Sequence, residues 1–381
     1  MKKAIRFIHT ADWHIGYPFT GIGRSDSALQ EKLLSASFNS IRNIFELARS
    51  EQVDFILIAG DVFEDVQYSQ LIPLKYGKLL AEAPPVFIAC GNHDPLPWDF
   101  KLPPNVHLFS ERFSTVELDS VFGKIAITGI SHPQKNIESD LTTGFPEKIQ
   151  GDVFLRIGLI HCNLTEISPE YNYAPTTRKR LLELPVDIWC LGHIHQKTMV
   201  YNERNRVILY PGTPQGKKSK YSGLCGCYLV EIDENRKIDA RFIATADAEW
   251  LEITATLDDL SQLPELIEKS SVIGLASVRL CKLRLTLPAG VQIPPDFLTS
   301  DGKNYFYDLE INHPREFLTP LEDQIQTLLS EICDGHSDLP SFQSVRNEIQ
   351  SLYSECGQTP DWPKLTQEAE KLATELLFHE D

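Results

Sequence analysis

Short apolar runs recur along the first half of the chain, and most of them stop abruptly at Asp, Asn or His. They read FIHTADWHIG (7–16), FILIAGDVF (55–63), VFIACGNHD (86–94), IGLIHCN (157–163) and IWCLGHIHQ (188–196). Runs of this length, rich in Ile, Val, Leu and Phe, predict strands buried on both faces. Between the first two, residues 28–50 place Leu33, Leu34, Phe38, Ile41, Ile44, Phe45 and Ala48 at helical spacing, and residues 69–83 predict a second helix. Strands alternating with helices predict an α/β core whose sheets are covered on both sides. KIAITGI (124–130), FLRIGLI (154–160), RVILYPG (206–212) and GCYLVEI (226–232) follow with little helix between some of them, so a second, more mixed sheet should pack on the first.

The pattern changes near residue 245. WLEITATL (250–257), SVRLCKLRLTLP (277–288) and KNYFYDLEI (303–311) read as strands, with a helix over 258–269. Leu318, Leu321, Ile325, Leu328, Leu329 and Ile332 then recur at helical spacing, and two more helical patterns follow around 342–354 and 364–378. The expected organisation is a main domain over 1–247, a small α+β cap over 248–316 and a helical tail over 317–381.

Composition narrows the class. The 381 residues are 42% hydrophobic, and no apolar run approaches the roughly 18 residues of a membrane span. The first apolar run ends at once in polar residues without a small-residue cleavage site, unlike a signal peptide. Eight cysteines form no CxxC pair, which fits a reduced, cytoplasmic protein. The net charge of −17 is uneven: residues 1–250 hold 30 acidic and 27 basic side chains, residues 251–381 hold 23 and 9. The first part is nearly neutral, so charge neither demands nor excludes a phosphodiester substrate.

The strand ends carry the chemistry. Asp12 and His14 leave a strand two residues apart and can project to one side. Asp61 follows Gly60, Asn92 follows Gly91, and His161, His193 and His195 add imidazoles. Carboxylates, an amide oxygen and imidazoles together suit Mn²⁺, Fe²⁺ or Zn²⁺. A pair of such ions, bridged by one carboxylate, is the arrangement of many phosphoester hydrolases. Capped loops with satisfied histidines would explain any one of these ends, but not five carrying complementary ligand types.

The ordered set D-x-H, G-D, G-N-H-D, a single H and G-H-x-H resembles the calcineurin-like metallophosphoesterases. HTADWHIG, GDVF, CGNHD and LGHIH are most similar to the SbcD-type DNA repair nucleases, as is PGTPQG (211–216) running on to GLCGCYLVEI (223–232). The resemblance covers about residues 5–245. It implies a four-layer α/β/β/α sandwich and two divalent cations. One would take Asp12, His14, Asp61 and His195; the other would share Asp61 and take Asn92, His161 and His193. His93 would be no ligand but would reach the phosphate or protonate the leaving oxygen, oriented by Asp94. The activity implied is that of a DNA exonuclease or endonuclease partnered by an SMC-like ATPase of the SbcC type. Homodimerisation through the phosphoesterase domain is commonly seen in the family. A small-molecule phosphodiesterase or phosphatase with the same metals, or a non-catalytic scaffold for the ATPase, are the alternatives.

Other residues are weighed beside that set. Archaeal and eukaryotic relatives often carry a His where this chain has Glu64, which is expected to be an exposed loop carboxylate. Cys162 should pack as a small apolar group, His9 should be a hydrogen-bonded structural histidine, and His132 is an outside candidate for the pocket rim. Two basic clusters, Arg178, Lys179 and Arg180, and Lys217, Lys218 and Lys220, could hold phosphates on either side of the scissile bond. The tail helices either dock on the ATPase partner or pack on the cap.

Overall fold

The computed structural model describes residues 4–22, 27–146, 152–169, 173–203, 205–221, 223–258, 260–274, 276–288 and 302–312. The chain opens with strand β1 (Ile5–Thr10), helix α1 (Ser27–Ser50), β2 (Phe55–Ala59), α2 (Gly77–Ala81), β3 (Val86–Ala89) and β4 (Val106–Leu108). Next come β5 (Ser114–Ser120), β6 (Gly123–Gly129), β7 (Leu155–His161), β8 (Asn163–Leu164), β9 (Pro175–Thr176) and α3 (Arg178–Glu183). Then follow β10 (Ile188–Gly192), β11 (Thr198–Glu203), β12 (Arg206–Tyr210), β13 (Gly226–Ile232) and β14 (Ile238–Ala244). The last elements are β15 (Ala248–Thr256), α4 (Leu263–Ser270), β16 (Val278–Thr286) and β17 (Asn304–Asn312).

Two six-stranded sheets form the core, in the orders β14-β13-β1-β2-β3-β4 and β11-β12-β10-β7-β6-β5. In the first, β1 to β4 run parallel while β13 is antiparallel to β1. In the second, β6, β7, β10 and β12 run parallel. The period of two along each strand divides its side chains between two cores. Phe55, Leu57 and Ala59 of β2 face the other sheet and meet Leu155, Ile157 and Leu159 of β7 and Ile188 and Cys190 of β10 in a single cluster. Ile56 and Ile58 face outward and pack with Ile41, Ile44 and Phe45 of α1. Burying each such aliphatic side chain contributes about 1.5–3 kcal/mol.

This is the expected α/β sandwich, with differences in its outer layers. Leu34 is 71% exposed, because the inward stripe of α1 passes through Leu29, Leu33 and Ala36. The helix predicted over 69–83 begins as a widened turn over Ile72–Tyr76 and only then becomes α2. Pro73 lies in that turn and brings no amide hydrogen to a regular helix. The outer face of the second sheet, with Trp189, Leu191 and Tyr210, is covered by Leu181 of the short α3 and by irregular chain carrying Ile137 and Phe145.

Beyond the sandwich, β15, β16 and β17 form a three-stranded parallel sheet, with α4 following β15. Ala248, Trp250, Val278 and Leu280 of this sheet pack on Leu29, Leu33 and Ala36 at the start of α1. By contact the chain divides into two units, 1–286 with 292–312, and 287–291 with 313–381. The helical patterns expected at 318–333, 342–354 and 364–378 lie outside the described residues.

Candidate metal centre

All the predicted ligands leave the carboxyl ends of adjacent parallel strands, where open α/β sheets place their ligands. Asp12 and His14 follow β1, Asp61 follows β2 and Asn92 follows β3. On the second sheet His161 ends β7, and His193 and His195 follow β10. Leaving a strand so sharply requires unusual backbone. Asp12, His14 and Asp61 take left-handed φ values of 53°, 45° and 52°, and His193 has φ 103°. Such strain persists only where neighbours enforce it. Here the amides of Asp12 and His14 donate to the carbonyls of Gly60 and Asp61 at 3.0 and 2.9 Å. The two sheets also approach closely at this end: a Cβ on Gly192 would overlap the Ala59 carbonyl oxygen.

The side chains converge. Asp12, His14, Asp61 and His195 each place one ligand atom within 4.8 Å of the others. His14 Nε2 and His195 Nε2 face each other at 3.0 Å, and His14 Nε2 is 3.6 Å from Asp61 Oδ2. Beside them, His161 Nε2 lies 3.0 Å from Asn92 Oδ1 and 3.4 Å from Asp61 Oδ2, while His193 Nδ1 lies 3.2 Å from Asn92 Oδ1. Asp61 is therefore common to both groups. Tautomers are set from behind: His161 Nδ1–H donates to the Ala59 carbonyl at 2.9 Å, and His14 Nδ1–H donates to Glu64 Oε2 at 2.7 Å. Each leaves Nε2 as a lone pair aimed into the cluster.

These residues fit a pair of divalent cations. Burial, and then the neighbouring Asp61 charge, pushes Asp12 well above the usual carboxylate range. Two buried carboxylates side by side need a counter-charge to remain ionised. Three of the imidazoles do not supply it, since burial lowers His161 to about 3, His193 to about 4 and His195 well below its ordinary value. Neutral imidazoles and anionic oxygens converging on shared points are a ligand set for metal.

Residues 5–197 match the model of the calcineurin-like phosphoesterases. The chain belongs to that family. It is 30% identical over 284 residues to the uncharacterized metallophosphoesterase YhaO of Bacillus subtilis, covering 70% of this chain and 67% of that one. It is 22% identical over 318 residues to the SbcD subunit of the SbcCD nuclease of the same organism, covering 72% of this chain and 74% of that one. Among solved structures, GAP50, the anchor in the inner membrane complex of Plasmodium, aligns with a TM-score of 0.40 at 15% identity, over 64% of this chain and 85% of that one. Members of this family use divalent metals, and this chain is a metallophosphoesterase with a candidate metal site.

Around the metallophosphoesterase cluster, several side chains sit differently from expectation. Glu64 is no exposed loop carboxylate. Its Oε2 accepts from His14 and its Oε1 lies 3.4 Å from His93 Nδ1, so one carboxylate spans both histidines. Burial alone would raise its pKa, but the hydrogen bonds from His14 and His93 outweigh that and bring it to about 2. Asp94 does not orient the His93 ring. It is wholly buried, and its oxygens accept from the backbone amides of Gly91 at 2.6 Å, Val62 at 2.7 Å and Asp61 at 3.1 Å. It shapes the turns that carry Asp61 and Asn92. The His93 ring is held by Glu64 instead, through the carbonyl at 3.1 Å from Nδ1 as well as the carboxylate. Burial works to lower His93, but the Glu64 hydrogen bond and the Asp61 charge carry it to about 9.

His9 is structural, as expected, with Nε2 3.1 Å from the Leu191 carbonyl. His132 is wholly buried behind the cluster with Nε2 2.7 Å from the His161 carbonyl, so it is not on the rim. Cys162 is buried in the outer core of the second sheet, as expected of a small apolar group.

The two basic clusters separate. Arg178, Lys179 and Arg180 begin α3, and the Arg180 guanidinium donates to the Thr142 carbonyl; none of the three lines the cleft over the metal cluster. Lys217 is buried, lowered by that burial to about 7, and its Nζ donates to the carbonyls of Trp13 and His14 at 3.2 and 2.6 Å. It braces the Asp12–His14 turn from below. Lys217 lines only the inner part of the cleft, whereas Lys218 and Lys220 reach its open part, where Lys135 joins them. Tyr17, Tyr173 and Tyr221 also line the cleft, and the sequence gives no sign of it. They lie in separate loops with no shared motif; only Glu64, three residues after Asp61, has a positional signal.

Proposed function

We propose that this chain hydrolyses DNA phosphodiesters with two divalent cations, Mn²⁺ foremost, as the nuclease component of an SbcCD-like complex. The observation that carries the reading is a groove of about 600 Å³ running past Asp61, Asn92, His93, His193 and His195, with Lys135, Lys218 and Lys220 among its lining residues. A cleft with cations beside a metal cluster suits a polyanionic chain. Asp12, His14, Asp61 and His195 would hold one cation, and Asp61, Asn92, His161 and His193 the other.

When bound, such a cation pair supplies charge neutralisation at the phosphoryl oxygens and acidifies a water. The chain's own groups do the rest. Glu64 holds His93 by Nδ1, which leaves Nε2 as the proton-bearing end toward the cleft. The Glu64 hydrogen bond at Nδ1 favours the protonated ring, so Nε2–H can pass its proton to the leaving ester oxygen. Lys218 and Lys220 would hold neighbouring phosphates without reading sequence. Similarity to the SbcD subunit of the SbcCD nuclease supports an ATPase partner, for which the acidic tail is the proposed docking segment.

The test is full-length protein with Mn²⁺ on end-labelled linear duplex, single-stranded and closed circular DNA. Cleavage abolished by chelator and reduced at least about a hundredfold in His93→Ala is expected. Cleavage of none of these DNAs, with steady turnover of a small aryl phosphodiester, would instead place the substrate among small molecules.

A further inference from the structure

Beside the open groove the cleft has a second compartment, a cavity of about 240 Å³ whose lining includes Tyr17, Glu64, His93, Gln215, Lys218 and Tyr221. His93, His195, Lys218 and Tyr221 line both compartments, so a phosphate within reach of His93 stands at the junction between them. The cavity lies below the roughly 300–1,000 Å³ of pockets for drug-sized ligands. It has room for one planar ring system.

Its walls show what kind of ring it suits. Both tyrosines are tied to the site: the Tyr17 backbone N–H donates to the His14 carbonyl at 3.0 Å, and the Tyr221 ring lies 5.2 Å from the His195 imidazole. Lys218 Nζ stands 4.8 Å from the centre of the Tyr17 ring. By contrast, the polar groups contributed by residues 213–217 are already engaged. The Gln215 amide nitrogen donates to the Gly216 and Ala248 carbonyls, and its oxygen accepts from the amides of Asp247 and Ala248. Thr213 Oγ1 donates to the Gln215 carbonyl, and Lys217 Nζ to those of Trp13 and His14. Those residues leave little with which to read the edge of a base, while Tyr17, Tyr221 and Lys218 bring rings and a cation to the same cavity. Stacking of this kind tolerates any base, since every base has a π-face.

Resting on the phosphodiesterase reading, we propose that this compartment is a base-stacking subsite. It holds one unpaired nucleobase next to the scissile phosphate against the rings of Tyr17 and Tyr221, without selecting its identity. A duplex end must then open before its phosphate reaches His93, at a cost of a few kcal/mol.

The test uses full-length protein with Mn²⁺ and single-stranded oligomers of equal length: four homopolymers and one abasic oligomer built on tetrahydrofuran phosphate. Wild-type kcat/KM should agree within about fivefold among the four bases and fall about tenfold or more for the abasic oligomer, through KM. Tyr17→Leu and Tyr221→Leu should each shrink the base-to-abasic ratio toward one, while Tyr17→Phe and Tyr221→Phe keep it. Metal content measured on every variant separates lost stacking from lost metal. Equal wild-type turnover of base-bearing and abasic oligomers would overturn the subsite and leave the phosphodiesterase reading standing. Turnover of bis(p-nitrophenyl) phosphate but of no oligomer would overturn the nucleic-acid substrate and the subsite together. No turnover of any diester by metal-loaded protein would overturn the phosphodiesterase reading itself.

Discussion

Glu64 shows how much a single side chain adds at this site. Its carboxylate accepts from His14 on one side and sits against His93 on the other, so it ties a candidate ligand to the candidate proton donor. A carboxylate behind a ligating imidazole fixes its tautomer and raises its basicity, and removing one costs about 10–100-fold in metal affinity or activity. Glu64→Gln keeps the shape and loses the charge. We expect kcat on a phosphodiester to fall about tenfold or more, and the alkaline limb of its pH profile to move down, because His93 loses the charge that helps hold its proton. An unchanged profile would assign Glu64 a purely structural role. The ligand types at the strand ends are legible in sequence, because each ends an apolar run. The carboxylate's contacts are not, since they depend on a left-handed turn at Asp61 that brings residue 64 back over the cluster. Asp94 and Lys217 depart from expectation for a related reason: a motif names a residue but not which way its polar end points. Both are spent on backbone, Asp94 on three amides and Lys217 on two carbonyls.

At the scale of elements, the strands are the most legible part. Apolar runs at 55–59, 86–89, 155–161 and 188–192 are strands because their residues are buried on both faces, as a parallel sheet inside a layered fold requires. The helices are less so. In α1 the run Leu33–Leu34 gives no clue which of the two faces inward, and contact with the cap sheet decides it for Leu33. This makes a paired prediction. Leu33→Ala should lower unfolding stability by about 2–5 kcal/mol, whereas Leu34→Ala should stay within about 0.5 kcal/mol of wild type. Denaturant titration of both variants measures it, and equal losses would mean that the helix does not turn Leu33 inward and Leu34 out. The widened turn at Ile72–Tyr76 and the irregular cover of the second sheet have no periodic signature at all.

Across the whole molecule, a net charge of −17 coexists with a cleft that gathers Lys135, Lys218 and Lys220. Those lysines come from two distant stretches of sequence, so only the second stretch is visible as a cluster. If the groove holds a single strand, each phosphate contact contributes about 0.7 to the slope of log affinity against log salt. Replacing all three by Gln should therefore reduce that slope by about 2 for a single-stranded oligomer. Fluorescence anisotropy across a salt series reads it, and an unchanged slope would move the strand elsewhere. The central claim is the pair of cations sharing Asp61, because the proposed proton donor and the proposed stacking subsite both depend on it. Calorimetric titration of metal-stripped protein with Mn²⁺ tests it most directly. The account predicts two ions per chain in the wild type and loss of tight binding at both in Asp61→Ala. One ion or none in the wild type, or two retained in the variant, would contradict it.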